Sequence, residues 1–231
     1  MSTPHSNPAQ PAKGSREPVF APCSPVRWAV EGGGTFPVRS VWCVGKNYAD
    51  HVREMGGDAR RDPPVIFAKP ASALVGPGAS VPYPPGTSDL HFEAELVAAI
   101  GPDGVWGYAV GLDLTRRDVQ AECKAAGRPW ERAKAFAHSA PLGAIRAGAV
   151  AADAALTLHL NGELRQRGRL SDMIWGVADI VEYLRADMGL GAGDLVFTGT
   201  PAGVGAVVPG DQLEARVEGL PPLSVTIGEP R

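Results

Sequence analysis

Alternation of apolar and polar side chains is clearest in the stretch Leu90–Val97, where small or apolar residues alternate with His91, Glu93 and Glu95. A period of two is typical of a half-buried strand. The pattern therefore places Glu93 and Glu95 on one face of a rigid strand, two residues apart. Carboxylates held so close repel each other unless a cation lies between them, and a hard divalent cation is the usual one. The alternative is a solvated strand face without a ligand, and the strand alone leaves both open.

Further periodic segments predict a protein built mainly of strands. Short apolar or alternating runs predict strands near residues 38–44, 64–67, 107–114, 156–160, 195–198, 212–217 and 223–227. The Asn161-Gly162 pair predicts a hairpin turn. Strands outnumber helices and do not alternate regularly with them, so the pattern favours an α+β fold that is mainly β with a few helices.

Three helices are predicted from their first residues. Asn47 is a suitable N-cap for a short helix that Gly56-Gly57 ends. Residues 115–118 resemble a capping box that opens the second helix. Ser171 is a suitable N-cap for the third, whose apolar residues recur at helical spacing to about Arg185.

Composition narrows the class of protein. The chain has 231 residues, of which 44% are apolar and 20% charged, and its net charge is −3. These values are typical of a soluble globular protein and predict no binding to nucleic acid. No apolar run is long enough for a membrane span, and three widely spaced cysteines predict a reduced, cytoplasmic location. Residues 1–20, rich in Ser, Pro and Gln, are predicted to be a disordered tail before a single domain at 21–231.

Asp113 is a third carboxylate for the same site. It follows the strand that comes after Glu93 and Glu95, and it would lie beside them if the two strands pair. Three carboxylates with water suit Mg²⁺ or Mn²⁺ better than zinc, which prefers His and Cys. The alternative is that Asp113 only binds the local backbone before a helix.

Two residue groups are candidates for proton and charge chemistry. His51 and Glu54 are three residues apart, which makes them neighbours on a helix, and a carboxylate beside an imidazole raises its basicity. Such a pair can take a proton from water. Lys134 lies between apolar residues, and a partly desolvated lysine near a metal stabilises developing negative charge. The alternative for His51 and Glu54 is an incidental contact on a surface helix. The alternative for Lys134 is an exposed lysine on a loop.

Three more residues are candidates for holding a substrate. Arg117 and Gln120 share the start of one predicted helix and can reach a carboxylate or carbonyl. Thr200 lies in the glycine-rich stretch 199–205, which can offer backbone N–H groups and a hydroxyl to an anion. Taken singly, the spacing of Arg117 and Gln120 is a weak signal that is common on solvated helix faces, and the composition of the 199–205 stretch favours an ordinary turn.

In their order along the chain, these motifs resemble the fumarylacetoacetate hydrolase family, closest to its fumarylpyruvate hydrolase and acylpyruvase branch. The resemblance covers roughly residues 38 to 228. The matching segments are Gly45-Lys46-Asn47-Tyr48 with His51 and Glu54, Phe67-Ala68-Lys69-Pro70, Glu93-Ala94-Glu95, Asp113 with Arg117 and Gln120, Pro129-Trp130 with Lys134, Asn161-Gly162-Glu163 with Gln166, and Thr198-Gly199-Thr200-Pro201 with Gly203-Val204-Gly205.

The resemblance implies a mixed β-sandwich roll, a homodimer and a divalent metal, Mg²⁺ or Mn²⁺. The roles it implies are metal ligation by Glu93, Glu95 and Asp113, water activation by His51 and Glu54, oxyanion support by Lys134, and substrate binding by Arg117, Gln120 and Thr200. The His51 segment is expected to order as a lid.

The implied activity is hydrolysis of a carbon–carbon bond in a 2,4-diketo acid, with fumarylpyruvate as the leading substrate, in aromatic-compound catabolism. A 2,4-diketo acid can chelate a metal while His51 activates a water that attacks C4, and pyruvate and a second acid result. The alternatives are decarboxylation of oxaloacetate or a related 2-oxo acid, and isomerase or hydratase chemistry on a ring-cleavage product. Two departures from the family pattern are the short Gly101–Gly107 segment and Ala137, which are expected to affect the site's edge and the orientation of Lys134.

Overall fold

The computed structural model describes residues 24–56 and 63–230, and strands dominate its secondary structure. The strands of these residues are β1 (Arg27–Ala29), β2 (Thr35–Pro37), β3 (Val41–Gly45), β4 (Val65–Lys69), β5 (Leu74–Val75), β6 (Ser80–Pro82), β7 (Leu90–Phe92), β8 (Ala94–Gly101), β9 (Gly104–Leu112), β10 (Thr115–Arg116), β11 (Ala140–Pro141), β12 (Arg146–Ala147), β13 (Ala155–Leu160), β14 (Glu163–Arg169), β15 (Leu195–Phe197), β16 (Gly205–Val207), β17 (Gln212–Val217) and β18 (Leu223–Gly228). Their α-helices are α1 (Ala49–Glu54), α2 (Arg117–Ala125), α3 (Glu131–Lys134) and α4 (Val177–Met188). The mainly β fold class is confirmed. The predicted tail at 1–20 lies outside the described residues, and the single domain at 21–231 stays a prediction.

Two sheets pack face to face around an apolar core. The six-stranded sheet has the order β12-β9-β8-β15-β3-β4, and the five-stranded sheet has the order β14-β13-β17-β18-β6. Leu96 and Val110 from the first sheet share one buried cluster with Leu156, Leu213 and Val225 from the second. Buried residues alternate with more exposed ones along β17 and β18, so each of these strands turns one face to the core. The result is an open mixed β-sandwich.

The predicted strand at 90–97 is divided into two strands at Glu93. β7 pairs with β10 and β16 in a three-stranded sheet, whereas β8 pairs with β9 and β15 in the six-stranded sheet. The carbonyl of Glu93 accepts a hydrogen bond from the N–H of Asp113 at this junction. Glu93 and Glu95 are both buried, so the expectation of a half-buried strand is wrong. The reason is that every residue of β8 is covered, on both faces of the strand.

Asn47 does not cap the first helix. The N-cap of α1 is Tyr48, which makes no side-chain capping bond. The amide of Asn47 instead donates to the carbonyl oxygens of Trp175 and Thr198. These partners are more than 100 residues away in the chain. The Asn47 side chain therefore makes tertiary contacts instead of the capping bond that the local sequence predicts.

The predicted start of the third helix is also corrected. Ser171 lies in a short 3₁₀ turn, and α4 begins only after Gly176, its N-cap. The helix ends at Gly189, whose φ of 68° is left-handed, as its sequence position predicts. Ile180 and Leu184 pack from α4 onto residues of β8 and β15, which explains their helical spacing.

The capping box predicted at 115–118 is absent. Thr115 belongs to β10, and its hydroxyl donates to the carbonyl of Asp113. The carboxylate of Asp118 accepts from the Thr87 hydroxyl and from a backbone N–H of the same loop. The threonine and the aspartate therefore serve tertiary contacts, and α2 starts without a side-chain cap.

Two expectations drawn from composition can be compared with the structure. Cys43 and Cys123 are buried free thiols, as expected of small core residues. In the part of the chain that the structure describes, no helix is long and apolar enough to cross a membrane.

Candidate functional site

Three buried carboxylates converge where β8 begins and β9 ends. Glu93 precedes β8, Glu95 lies within it, and Asp113 follows β9. β8 and β9 are antiparallel with Glu95 opposite Gly111, so the register brings Asp113 to the two glutamates. One oxygen from each of the three side chains lies within 4.8 Å of the others. The predicted convergence is therefore observed.

Lys134 compensates part of this negative charge. Its Nζ lies 2.7 Å from Glu93 Oε2, 2.6 Å from Asp113 Oδ2 and 2.7 Å from Thr115 Oγ1. Only 2% of the residue is exposed, which rules out the alternative of an exposed loop lysine. Burial alone would lower the pKa of Lys134, but Asp113 and Glu93 beside it raise that pKa above its ordinary value. The amine is therefore a fixed cation between two carboxylates.

Lys69 is a second buried cation, to which the sequence analysis gave no role. Its Nζ lies 2.9 Å from Asp113 Oδ1 and donates to the carbonyls of Leu114 and Lys134. Lys69 therefore links the backbone carbonyl of Lys134 to the carboxylate of Asp113, which the side chain of Lys134 also contacts. A signal was present in the sequence: Lys69 shares the buried face of β4 with Phe67, where a lysine is rare without a partner.

The remaining charge of the carboxylates fits a divalent cation. Burial, and then the nearby Asp113 and Glu93, raise the pKa of Glu95 well above its ordinary value. Its neighbour Glu93 behaves oppositely: burial would raise its pKa, but Lys134 and Arg117 bring it well below the usual range. Asp113 Oδ1 is buried and makes no hydrogen bond to a described residue, despite the nearby Lys69. Among the described residues Glu95 forms no ion pair, and a cluster that offers only oxygen ligands suits Mg²⁺ or Mn²⁺.

His51 and Glu54 form the predicted contact on α1. His51 Nδ1 lies 3.2 Å from Glu54 Oε2, and His51 is 7% exposed. With Nδ1 as the donor to Glu54, Nε2 is the nitrogen left to accept a proton. Glu54 also accepts from the backbone N–H of Gly203, at 3.0 and 3.2 Å. Glu54 therefore fixes the histidine and joins α1 to the loop at 199–205.

Arg117 and Gln120 lie beside the carboxylates, as predicted. Arg117 Nη2 donates to Glu93 Oε1 at 2.6 Å, and Nη1 donates to Gln120 Oε1 at 2.8 Å. The second bond leaves the Gln120 amide N–H groups free for another acceptor. Arg117 holds a carboxylate of the protein, so a substrate anion would share the same guanidinium.

The loop at 199–205 directs its donors mainly to the protein itself. The N–H of Gly199 donates to Glu95 Oε2 at 2.8 Å. The Thr200 hydroxyl donates to the carbonyl of Ala94 and accepts from Gln166, both at 2.8 Å. The loop therefore orients a candidate metal ligand, and substrate binding by Thr200 stays a prediction.

A cavity of about 250 Å³ collects these groups. Seven of the nine predicted site residues line it, namely His51, Glu93, Glu95, Arg117, Gln120, Lys134 and Thr200. The other two contact residues of this lining: Asp113 contacts Lys134, and Glu54 contacts His51.

Neither departure from the family pattern lies in the lining of this cavity. Gly101 and Gly104 close the turn between β8 and β9, at the end of β8 that is about 23 Å from the carboxylates. None of residues 101–107 lines the cavity, and an effect of the short segment on the site's edge stays a prediction. An effect of Ala137 on the orientation of Lys134 also stays a prediction; in this chain Glu93 and Asp113 hold the Lys134 amine.

Replacing Gly203 with alanine is expected to destabilise the protein by about 2–4 kcal/mol. Gly203 has a φ of +94°, and an added Cβ would lie 2.1 Å from the carbonyl oxygen of Arg165. Relief of that clash would move the N–H away from Glu54, so turnover should also fall. Urea unfolding measures the first effect. Gly176→Ala is the matched control, because a Cβ there meets nothing within 4 Å; equal stability of both variants would contradict the prediction.

Comparisons with known proteins found relatives over most of this chain. The family model described as fumarylacetoacetate (FAA) hydrolase C-terminal matches residues 40–228. The mitochondrial oxaloacetate tautomerase FAHD1 of Bos taurus is 41% identical over an alignment of 206 residues, and the match covers 83% of this chain and 93% of that protein. The fumarylpyruvate hydrolase of a Ralstonia species is 42% identical over an alignment of 175 residues, and the match covers 70% of this chain and 91% of that protein. The crystal structure of fumarylpyruvate hydrolase from Pseudomonas aeruginosa in complex with Mn²⁺ and pyruvate is 46% identical, has a TM-score of 0.90, and covers 92% of this chain and 100% of that one.

Proposed function

Because the chain belongs to the fumarylacetoacetate hydrolase family, we propose that it is a metal-dependent acylpyruvate hydrolase, with fumarylpyruvate as its leading substrate. The reaction cleaves the C3–C4 bond of a 2,4-diketo acid with water and gives pyruvate and a carboxylic acid. Its cellular setting would be the breakdown of aromatic compounds. One observation carries the proposal: His51, paired with Glu54, lines the same cavity as Glu93 and Glu95, two members of the cluster of three carboxylates.

Glu93, Glu95 and Asp113 would hold the cation, Mn²⁺ or Mg²⁺. A divalent cation there would polarise the oxygens of the diketo acid as a Lewis acid. The similar structure of the Pseudomonas aeruginosa fumarylpyruvate hydrolase contains Mn²⁺ and pyruvate, which supports this assignment.

Side chains of the cavity account for the other steps. Arg117 and Gln120 donate hydrogen bonds to the substrate carboxylate. His51 Nε2 takes one proton of a water molecule while its oxygen bonds to C4, and Glu54 stabilises the imidazolium. When the C3–C4 bond breaks, its electron pair passes to the pyruvate enolate, and the proton on His51 is delivered to C3. Lys134 adds a fixed positive charge beside the oxygens that become negative.

A second candidate is tautomerisation of oxaloacetate. The observation that favours it is the similarity, at 41% identity, to the oxaloacetate tautomerase of Bos taurus. The same histidine can move a proton between C3 and the enol oxygen, but this reaction needs no activated water and cleaves no carbon–carbon bond. Product analysis therefore separates the two candidates.

The test is an assay of protein stripped with a chelator and then given Mn²⁺ or Mg²⁺. We expect metal-dependent loss of the ultraviolet absorbance of fumarylpyruvate, with one pyruvate released per molecule consumed. Acetylpyruvate and oxaloacetate complete the panel. Enol–keto exchange of oxaloacetate without pyruvate release, and with both diketo acids untouched, would replace the hydrolase with the tautomerase. The homodimer and the cytoplasmic location remain part of the proposal, and size-exclusion chromatography checks the former.

A further inference from the structure

One face of α2 lines the cavity and starts beside the carboxylate cluster. Arg117, Gln120 and Lys124 all line the cavity, and their spacing of three and four residues places them on the same side of the helix. Arg117 contacts Glu93, whereas Lys124 lies seven residues further on, about 10 Å along the helix axis. The helix therefore presents two cations to the cavity, about 10 Å apart along its axis.

Lys46 lies close to Lys124 and also lines the cavity, from the end of β3. Its φ of 60° is left-handed, a conformation that a lysine seldom adopts and that glycine adopts easily. Partial burial, and then repulsion by Arg117 and Lys46, lower the pKa of Lys124. The chain thus places a second cation beside Lys124 in a conformation unfavourable for its residue type.

These two amines differ from the other cations of the cavity because each lacks a carboxylate partner within residues 24–56 and 63–230. Lys134 and Arg117 both contact Glu93, whereas neither Lys46 nor Lys124 forms an ion pair with a described residue. Lys124 Nζ lies 5.1 Å from the centre of the Trp130 ring, which orients it without neutralising it. The position of Lys124 in the last turn of α2 also favours a cation, but it does not account for Lys46.

We propose that Lys46 and Lys124 form a distal anion subsite that selects acylpyruvates whose acyl group ends in a carboxylate. This inference rests on the proposed function. The substrate's pyruvyl end would lie at Arg117 and the carboxylate cluster, and its far carboxylate would lie between the two amines, at the distance that α2 spans. Acylpyruvates whose acyl group ends in a neutral group would leave both lysines unpaired. The subsite would therefore favour substrates with two carboxylates.

The test compares fumarylpyruvate with crotonylpyruvate, in which a methyl group replaces the terminal carboxylate. The variants are Lys46→Gly, which suits the local φ, Lys124→Met, which keeps the stem over Trp130, and the double variant. For the Mn²⁺-loaded double variant, we expect the ratio of kcat/KM for fumarylpyruvate to that for crotonylpyruvate to fall about tenfold, through KM. Lys124→Arg should retain the preference. Arg128→Gln is the control, since this exposed cation lies just after α2 but does not line the cavity.

An unchanged ratio in the double variant would overturn the subsite, and so would an equal loss for both substrates, which indicates only a general attraction of anions. If the wild-type protein hydrolyses neither compound, the proposed function fails instead. Calorimetric binding of the same two compounds to the Mn²⁺-loaded protein then tests the subsite by itself. Tighter binding of fumarylpyruvate that the double variant loses supports it, and equal binding of both compounds overturns it.

Discussion

Replacing His51 with alanine should lower kcat for acylpyruvate hydrolysis by about 10²–10⁴-fold while Mn²⁺ binding stays intact. The imidazole is the group placed to take a proton from water, and it does not belong to the carboxylate cluster. Steady-state kinetics measures the first effect, and calorimetric titration with Mn²⁺ measures the second. Hydrolysis at the wild-type rate would remove His51 from the mechanism.

Matched variants on the same helix distinguish a loss of proton transfer from a disturbance of the α1 structure. Arg53 is exposed and pairs with Asp50 on the outer side of the helix, so Arg53→Ala should retain wild-type kcat. Glu54→Gln keeps an acceptor for Gly203 but removes the charge beside the imidazole, so we expect a smaller loss, about 10–100-fold. His51→Gln is the second substitution at the histidine, and a comparable loss with it would show that proton transfer rather than helix packing is affected.

Replacing Lys134 with methionine should destabilise the metal-free protein by about 3–5 kcal/mol, because two buried carboxylates lose their shared counter-charge. Methionine fills a similar volume, so the effect isolates the missing ammonium group from any cavity. Mn²⁺ supplies positive charge to the same carboxylates, so it should stabilise the variant more than the wild-type protein. Urea unfolding of the wild-type protein and of the variant, each with chelator and with saturating Mn²⁺, gives the four free energies of unfolding that this comparison needs.

Arg128→Met is the control for this comparison, because replacing an exposed cation with methionine should change stability by no more than about 0.5 kcal/mol. Equal stability of Lys134→Met and wild-type protein in chelator would show that the ammonium group does not compensate the cluster. An equal gain from Mn²⁺ in both proteins would show that Lys134 and the cation do not share the same carboxylates.

The sequence predicts the carboxylate cluster well because its geometry depends on neighbouring strands. Glu93, Glu95 and Asp113 are related by strand periodicity and by one antiparallel pairing, both of which follow from local pattern. The break in the strand at Glu93 was missed, because a change of sheet depends on which distant strands compete for pairing.

Side chains with distant partners were the least predictable part. Asn47 and Ser171 have the residue types of helix caps, but Asn47 binds a segment more than 100 residues away, and α4 starts after Gly176. Lys69 was given no role, since its partner Asp113 becomes visible only when β4 is placed beside the cluster. The bond from Glu54 to Gly203 likewise has no signal in either local stretch.

The site is assembled from parts with very different separations in the chain. The carboxylates come from one hairpin between Glu93 and Asp113, whereas Glu54 and Gly203 are 149 residues apart. Sequence divergence can therefore act on these parts separately. Substitutions in α1 can change the proposed proton-transfer pair while the hairpin that carries the three carboxylates persists. A lineage built this way can alter its proposed proton-transfer residues without rebuilding its carboxylate cluster.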